Sequence, residues 1–334
     1  MVDRSYDEHI AHNPHDGLAR RIFSNPEAAA AELQLVLPQA LTSRLDWHSL
    51  KVEPTSFVDE RLRSKTSDIL YSIELAESAR PVSVYVVMEH QSSPDAAMTA
   101  RFFVYVGRLY ERYLDQHEGT KTVPLVVPVL LYQGPSGWAM PQRLSEMLDV
   151  PRVLLERFPP PIELVFAVDD MSQSMLGEQV THDQLRRDHG VMLAELARTW
   201  LWLYNHPDGA TGERAAMLGR LTRALVDGWG PRSIEPFLTY FLSAFGADSP
   251  LHAILLESAE PETQHMHTTF RDDYLAQGKA KGLATALDRL LTARGVELTE
   301  GARERITSCE DEAVLQRWFD RAVTAASVAE VFDD

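Results

Sequence analysis

The spacing of apolar residues changes character along the chain. The first 50 residues read as helical: Ala28 to Leu37 (AAAAELQLVL) is dense in helix formers, and Pro38 closes the run. From Asp68 the pattern is that of strands. Asp68 to Leu75 (DILYSIEL) is rich in β-formers, Glu77 to Pro81 supplies a turn, and Val82 to Glu89 (VSVYVVME) is almost continuously apolar. Two strands a hairpin apart are expected. Ser93-Pro94 then predicts a helix start, a capping hydroxyl with proline at the first helical position. A helix from there to about Gln116 sets Met98, Phe102, Tyr105, Leu109 and Tyr113 on one face. Val123 to Tyr132 (VPLVVPVLLY) reads as the next strand, and Ile162 to Val168 (IELVFAV) as a shorter one. Strand, helix, strand favours a parallel pair with the helix packed on the sheet.

Beyond about residue 175 the strand signals stop. Leu193 to Tyr204 and Ala215 to Val226 are helical in pattern, and Ser249 to Thr268 has the weak periodicity of a linker. A last module starts near Tyr274, with Leu283, Leu287, Leu290 and Leu291 as its apolar stripe and Gly295 as a helix stop. Helical stretches around Arg303 to Ile306 and through Leu315, Trp318, Phe319 and Val323 follow. The expected organisation is an α/β domain over residues 1–175, a helical extension and linker over 176–270, and a small helical module over 271–334.

Composition narrows the class. An apolar fraction of 45% is that of a globular chain of 334 residues, and no run of about 18 apolar residues suggests a membrane span. The first residues lack the layout of a signal peptide, and the one cysteine, Cys309, excludes an intrachain disulfide or a multi-cysteine zinc site. A soluble, cytoplasmic protein is expected. The net charge of −17 argues against a passive nucleic-acid coat, which would need a basic surface. That charge is uneven: residues 1–140 hold 13 Lys/Arg and 18 Asp/Glu, so most of the excess lies further on.

The candidate chemistry is Asp68 at the start of one strand and Glu89-His90-Gln91 at the end of the next. Residues two apart on a strand share a face, so Glu89 and Gln91 project together and His90 faces the other way, packed or hydrogen-bonded. If the strands are neighbours, Asp68 can lie beside Glu89. Two converging carboxylates suit a hard divalent cation such as Mg2+, which polarises a phosphoryl oxygen and acidifies a bound water. Gln91 can orient that water or a phosphate oxygen, but it brings no positive charge. Spacing alone does not separate this from a turn-capping aspartate beside a solvated strand end.

A longer set of residues bears on that choice. Ser67-Asp68-Ile69-Leu70-Tyr71, then Val86 to Asp95 (VVMEHQSSPD) with Met98 and Arg101, resembles the recombination-promoting nuclease family within the PD-(D/E)xK superfamily. Pro124 to Gly134 (PLVVPVLLYQG) with Trp138, the opening His15-Asp16 and the downstream Val168-Asp169 are similar too, over roughly residues 12–200. The resemblance implies a restriction-endonuclease-like core with a mixed central sheet, followed by an all-helical C-terminal region. It also implies a Mg2+-dependent DNA endonuclease (Mn2+ substituting) linked to recombination or mobile elements. Asp68 and Glu89 match the metal-binding acids. Gln91 stands where the wider superfamily has lysine, leaving Lys65, Arg101 or Lys121 to supply charge. The chain departs from the family at Gly17-Leu18-Ala19-Arg20-Arg21, where a Phe-Lys pair is common.

Other features carry less. Arg101, Arg108 and Arg112 line one helix edge and, with Lys65, are candidate DNA contacts, against the plainer reading of a solvated flank. His9, His12 and His15 recur every three residues, but Pro14 interrupts them and the terminal segment reads as flexible. Gly278 to Gly282 lacks the phosphate-loop pattern and leads into the last module, whose helices are candidates for self-association. The alternative to an enzyme is a nuclease-fold module that binds DNA or protein without turnover.

Overall fold

The computed structural model describes residues 13–54, 69–76, 83–172, 188–206, 213–246, 249, 251 and 261–332. The chain divides into two compact units, Met1–Glu260 and Pro261–Asp334.

The first unit opens with helices α1 (Pro14–Phe23), α2 (Pro26–Val36) and α3 (Gln39–Thr42). The start of α2 is fixed locally: Asn25 accepts hydrogen bonds from the Glu27 and Ala28 backbone N–H groups, and Pro26 occupies the first position. Strands β1 (Leu45–Val52), β2 (Ile69–Leu75) and β3 (Ser83–Gln91) follow, then helix α4 (Met98–Gln116) and strand β4 (Leu125–Tyr132). The short helix α5 (Arg152–Arg157) precedes β5 (Ala167–Asp170), and helices α6 (His189–Asn205), α7 (Glu213–Trp229) and α8 (Glu235–Phe245) complete the unit.

The five strands form one sheet in sequence order. The β1–β2 and β2–β3 pairs are antiparallel, whereas β3–β4 and β4–β5 are parallel, giving the mixed α/β sheet expected. Helix α4 is the crossover between β3 and β4. Its buried face is Met98, Phe102, Tyr105 and Leu109, packed on Leu70, Val87, Leu130, Tyr132 and Phe166 of the sheet side. Alternation along β2 sends the next residue, Tyr71, to the opposite face, where its hydroxyl donates to the Phe23 carbonyl of α1 at 2.7 Å. The sheet is thus covered on both faces.

Three sequence expectations need correction. The first 50 residues are not all helical, because Leu45–Val52 is an edge strand. Its register shifts between Asp46 and Lys51, so its buried residues Leu45 and Leu50 fall five apart and the period of two is lost. Ser93 does not cap α4: the helix starts at Met98, after a turn in which Asp95 accepts from the Ala97 N–H. The run from Ile162 becomes regular strand only at Ala167, with Val165 in an isolated bridge to Arg143.

In the second unit α9 (Pro261–Ala293) begins inside the stretch read as a linker, and α10 (Glu300–Thr307), α11 (Glu312–Ala322) and α12 (Val328–Phe332) fold against it. Ala284, Leu287, Leu291, Ile306, Leu315 and Trp318 form their shared core. Gly295, at φ +73°, ends α9 in the left-handed conformation that favours glycine. No helix among the described residues is long and apolar enough to cross a membrane.

Candidate active site

The carboxyl end of β3 is where backbone pairing and charge meet. Glu89 and Gln91 pair with Leu130 and Tyr132 of parallel β4, deep enough that the Glu89 side chain is fully buried. Burying a carboxylate costs several kcal/mol unless polar partners compensate. Gln91 Nε2 donates to Glu89 Oε1 at 2.6 Å, and Arg101 Nη2, from the first turn of α4, donates to it at 2.6 Å. The same guanidinium reaches Asp95 Oδ2 at 3.0 Å and the Tyr105 hydroxyl at 3.1 Å. Burial works against the charge on Arg101, but Glu89 above all, with Tyr105 and Asp95, outweighs it and raises its pKa.

Arg101 therefore does not stand in an open row with Arg108 and Arg112. It turns into the strand end and is held by two acids, while Arg108 and Arg112 sit half-buried along the same helix. Asp68 and Lys65 lie outside the described residues, as do His9 and His12. The described part of the β2–β3 pair ends at Ile69, opposite Met88. Among the described residues no group of three or more His, Cys, Asp or Glu is placed to hold a metal ion.

His90 faces the other side of the sheet, as its place between Glu89 and Gln91 requires, and starts a buried polar chain. Its Nδ1 lies 2.7 Å from Asp16 Oδ1 of α1, and its Nε2 2.8 Å from Gln133 Oε1 beyond β4. Gln133 Nε2 lies 3.2 Å from His15 Nδ1, which also contacts the Tyr240 hydroxyl of α8 at 2.9 Å. Burial, reinforced by His90, lowers the pKa of His15 to about 4. This chain ties α1, β3, the end of β4 and α8 together behind Glu89. Sequence reading singled out His15-Asp16 but had no signal for Gln133 or Tyr240, which pair with them across more than 100 positions.

A second buried cluster also escaped it. Arg198 of α6 donates to Glu32 of α2 and, bidentately, to Asp169 of β5. Asp169 had drawn notice only as a member of the Val-Asp pair. Beyond β4, the backbone closes tightly: a Cβ on Gly134 would fall 1.9 Å from the Tyr132 hydroxyl oxygen. The Tyr132 ring meets Trp138 edge-on with centroids 5.0 Å apart, and the Trp138 backbone N–H donates to Asp170 Oδ2 at 2.7 Å.

With this geometry in view, the comparisons with known proteins fall into place. The family model described as "Putative transposase, YhgA-like" matches residues 13–195, more than half of the chain. The chain belongs to this family. The match covers α1 through the first turns of α6, and so the whole sheet and most of both polar clusters, Tyr240 and Arg198 lying beyond it.

Among curated relatives of this YhgA-like chain, recombination-promoting nuclease RpnD of Escherichia coli O157:H7 is 38% identical over 130 residues, covering 38% of the chain and 49% of RpnD. Inactive recombination-promoting nuclease-like protein RpnE of Escherichia coli strain K12 is 36% identical over 127 residues, 38% of the chain and 41% of RpnE. Recombination-promoting nuclease RpnC of the same strain is 36% identical over 121 residues, 36% of the chain and 39% of RpnC. The chain thus spans at most about half the length of these relatives. No solved structure matches it.

Proposed function

We propose that the chain is a nuclease acting in recombination or on mobile elements, and more narrowly a Mg2+-dependent DNA endonuclease. The observation that carries this reading is the buried Glu89 carboxylate, oriented by Gln91 and Arg101 at the carboxyl ends of parallel β3 and β4. Relatives named as recombination-promoting nucleases support the reaction class.

The donor chemistry fits a hard cation in part. Glu89 offers carboxylate oxygen, the ligand type such ions take. Asp68, one residue before Ile69 in the sequence, is the proposed second acid. Bound there, Mg2+ (or Mn2+) would supply Lewis acidity toward a phosphodiester oxygen and an acidified water. The protein's own side chains do the rest. Gln91 orients the attacking water or a phosphate oxygen. Arg101 provides the positive charge that glutamine lacks, so the chain meets the developing phosphoryl charge from α4 rather than from β3. His90 and Asp16, on the far face, hold β3 in place.

A second reading has one observation behind it: RpnE, similar to the same degree, is named inactive. The chain would then bind DNA or a protein without turnover. Plasmid DNA incubated with Mg2+, with Mn2+, with EDTA, and with Asp68→Ala or Glu89→Gln protein separates the two. The nuclease reading expects nicking or linearisation with either metal, and none with EDTA or either variant. Cleavage unchanged in both variants removes this site, and retention of DNA without metal-dependent cleavage selects the binding module. Matched DNA and RNA substrates identify the preferred sugar.

A further inference from the structure

On the face of the first unit away from α4, a cleft of about 820 Å³ opens between α2, β1, α6 and the end of α7. That volume is within the range of small-molecule sites. Its walls combine aliphatic side chains with two indoles, Trp47 and Trp229, and three acids, Glu27, Asp188 and Glu195. Among the described residues no lysine or arginine lines it, and the other titratable groups on its walls are His48 and His189.

Two of the acids have local work. Glu27 Oε2 lies 3.2 Å from His189 Nδ1, and Asp188 caps α6 by accepting from the Val191 N–H at 3.2 Å. Glu195 is different. It is 2% exposed, it lines the cleft, and its Oε1 has no hydrogen-bond partner among the described residues. Arg198, one turn along α6, donates to Glu32 and Asp169. A buried carboxyl oxygen left unmatched costs free energy, and a side-chain rotation that turns Glu195 Oε1, closed off from solvent as it stands, toward a donor in the cleft would recover it. Trp229 is over a third exposed, with the His189 ring against it at 4.6 Å between centroids, so an aromatic wall is presented beside the acid.

We propose that this cleft binds a small organic cation, an amidinium, guanidinium or ammonium on an apolar body, with the charged end at Glu195 and the body against Trp229 and Trp47. A cation placed over an indole and hydrogen-bonded to carboxylate satisfies both features, which a neutral or anionic ligand does not. The site is separate from Glu89 and does not depend on the nuclease reading. Burial pushes the Glu195 carboxyl up to about 7, Arg198 lowering it and Asp169 raising it, and an approaching cation would favour the ionised form.

Benzamidine and its neutral near-isostere benzamide test this on the full chain, by tryptophan fluorescence and calorimetry. Benzamidine is expected to saturate at submillimolar concentration and benzamide to bind at least tenfold more weakly. Glu195→Gln, which keeps the side-chain shape, should weaken benzamidine at least tenfold while leaving benzamide unaffected, and Trp229→Ala, on the cleft rim, should weaken both. Agmatine and N-acetyl-arginine amide, run in parallel, distinguish a free amine from the side chain of a protein partner. Equal binding of benzamidine and benzamide overturns the proposal, as does wild-type affinity in Trp229→Ala or a folded Glu195→Gln. Absence of saturation does the same.

Discussion

Arg101 Nη2 lies 2.6 Å from Glu89 Oε1, joining the end of β3 to the first turn of the crossover helix across 12 positions of sequence. Only the arginine has access to solvent; the glutamate has none. The pair is thus a buried acid compensated by a half-buried base, and truncating either partner has different consequences.

Removing Arg101 takes from the buried Glu89 carboxylate its cationic donor at 2.6 Å, Gln91 still donating to the same oxygen. Arg101→Ala is expected to destabilise the fold by about 2 kcal/mol, discounted from the roughly 3–5 kcal/mol of a fully buried pair because Arg101 is partly solvated. DNA cleavage should fall at least about 100-fold. Arg101→Lys should restore most of the stability but little activity, since an ammonium cannot span Glu89 and Asp95 as the guanidinium does. Thermal melts beside cleavage rates read the two effects separately.

Glu89→Gln keeps the shape and removes the charge. Cleavage should be lost by about 100-fold or more while the melting temperature moves little, because the buried charge disappears with the pairing. Gln91→Ala should cost less, about 10-fold, as it orients rather than ligates. Equal effects from both would show that Glu89 acts through position and not through its charge.

The Glu195 carboxyl gives a pH signature. Its ordinary value is 4.5 and burial takes it to about 7, so the fold prefers the protonated form. Its contribution is complete below pH 4.5 and is lost as pH rises through 7, reaching up to about 3 kcal/mol at roughly 1.4 kcal/mol per pKa unit. Urea unfolding should find Glu195→Gln close to the parent at pH 5 and more stable than it at pH 8.5.

His15 has the opposite sign. Burial, with His90 nearby, takes it from 6.5 to about 4, so the fold prefers the neutral ring. Its contribution is complete above pH 6.5 and is lost as pH falls through 4. His15→Gln, which can still face Gln133 and Tyr240, should flatten the decline in unfolding free energy between pH 7 and 4.5. A slope as steep as the parent's would place that decline elsewhere.

The parts of this architecture that follow local rules were legible in the sequence. The one-sided run Met98, Phe102, Tyr105 and Leu109 gave α4 its face, and alternation put Glu89 and Gln91 together with His90 behind them. What depends on distant pairing was not. β1 hides behind a bulge that breaks its period, and Asp95 displaces Ser93 as the organiser of the turn before α4. Arg101 looked like one of three arginines on a helix edge; only the packing angle of that edge against β3 makes it the partner of Glu89. Glu32 and Arg198, 166 positions apart, carry no local mark of their ion pair.

Gly134 has no chemistry of its own, yet the Tyr132 hydroxyl fills the space where its side chain would be. Any larger residue there must displace the Tyr132 ring, which packs on Trp138, or lift the backbone that carries Gln133, whose N–H donates to the Gln91 carbonyl at 2.9 Å. A random-mutagenesis screen for lost activity should therefore return position 134 alongside the acids. Its alleles would be misaligned enzymes, with every reactive group present and the strand end that aims them out of true.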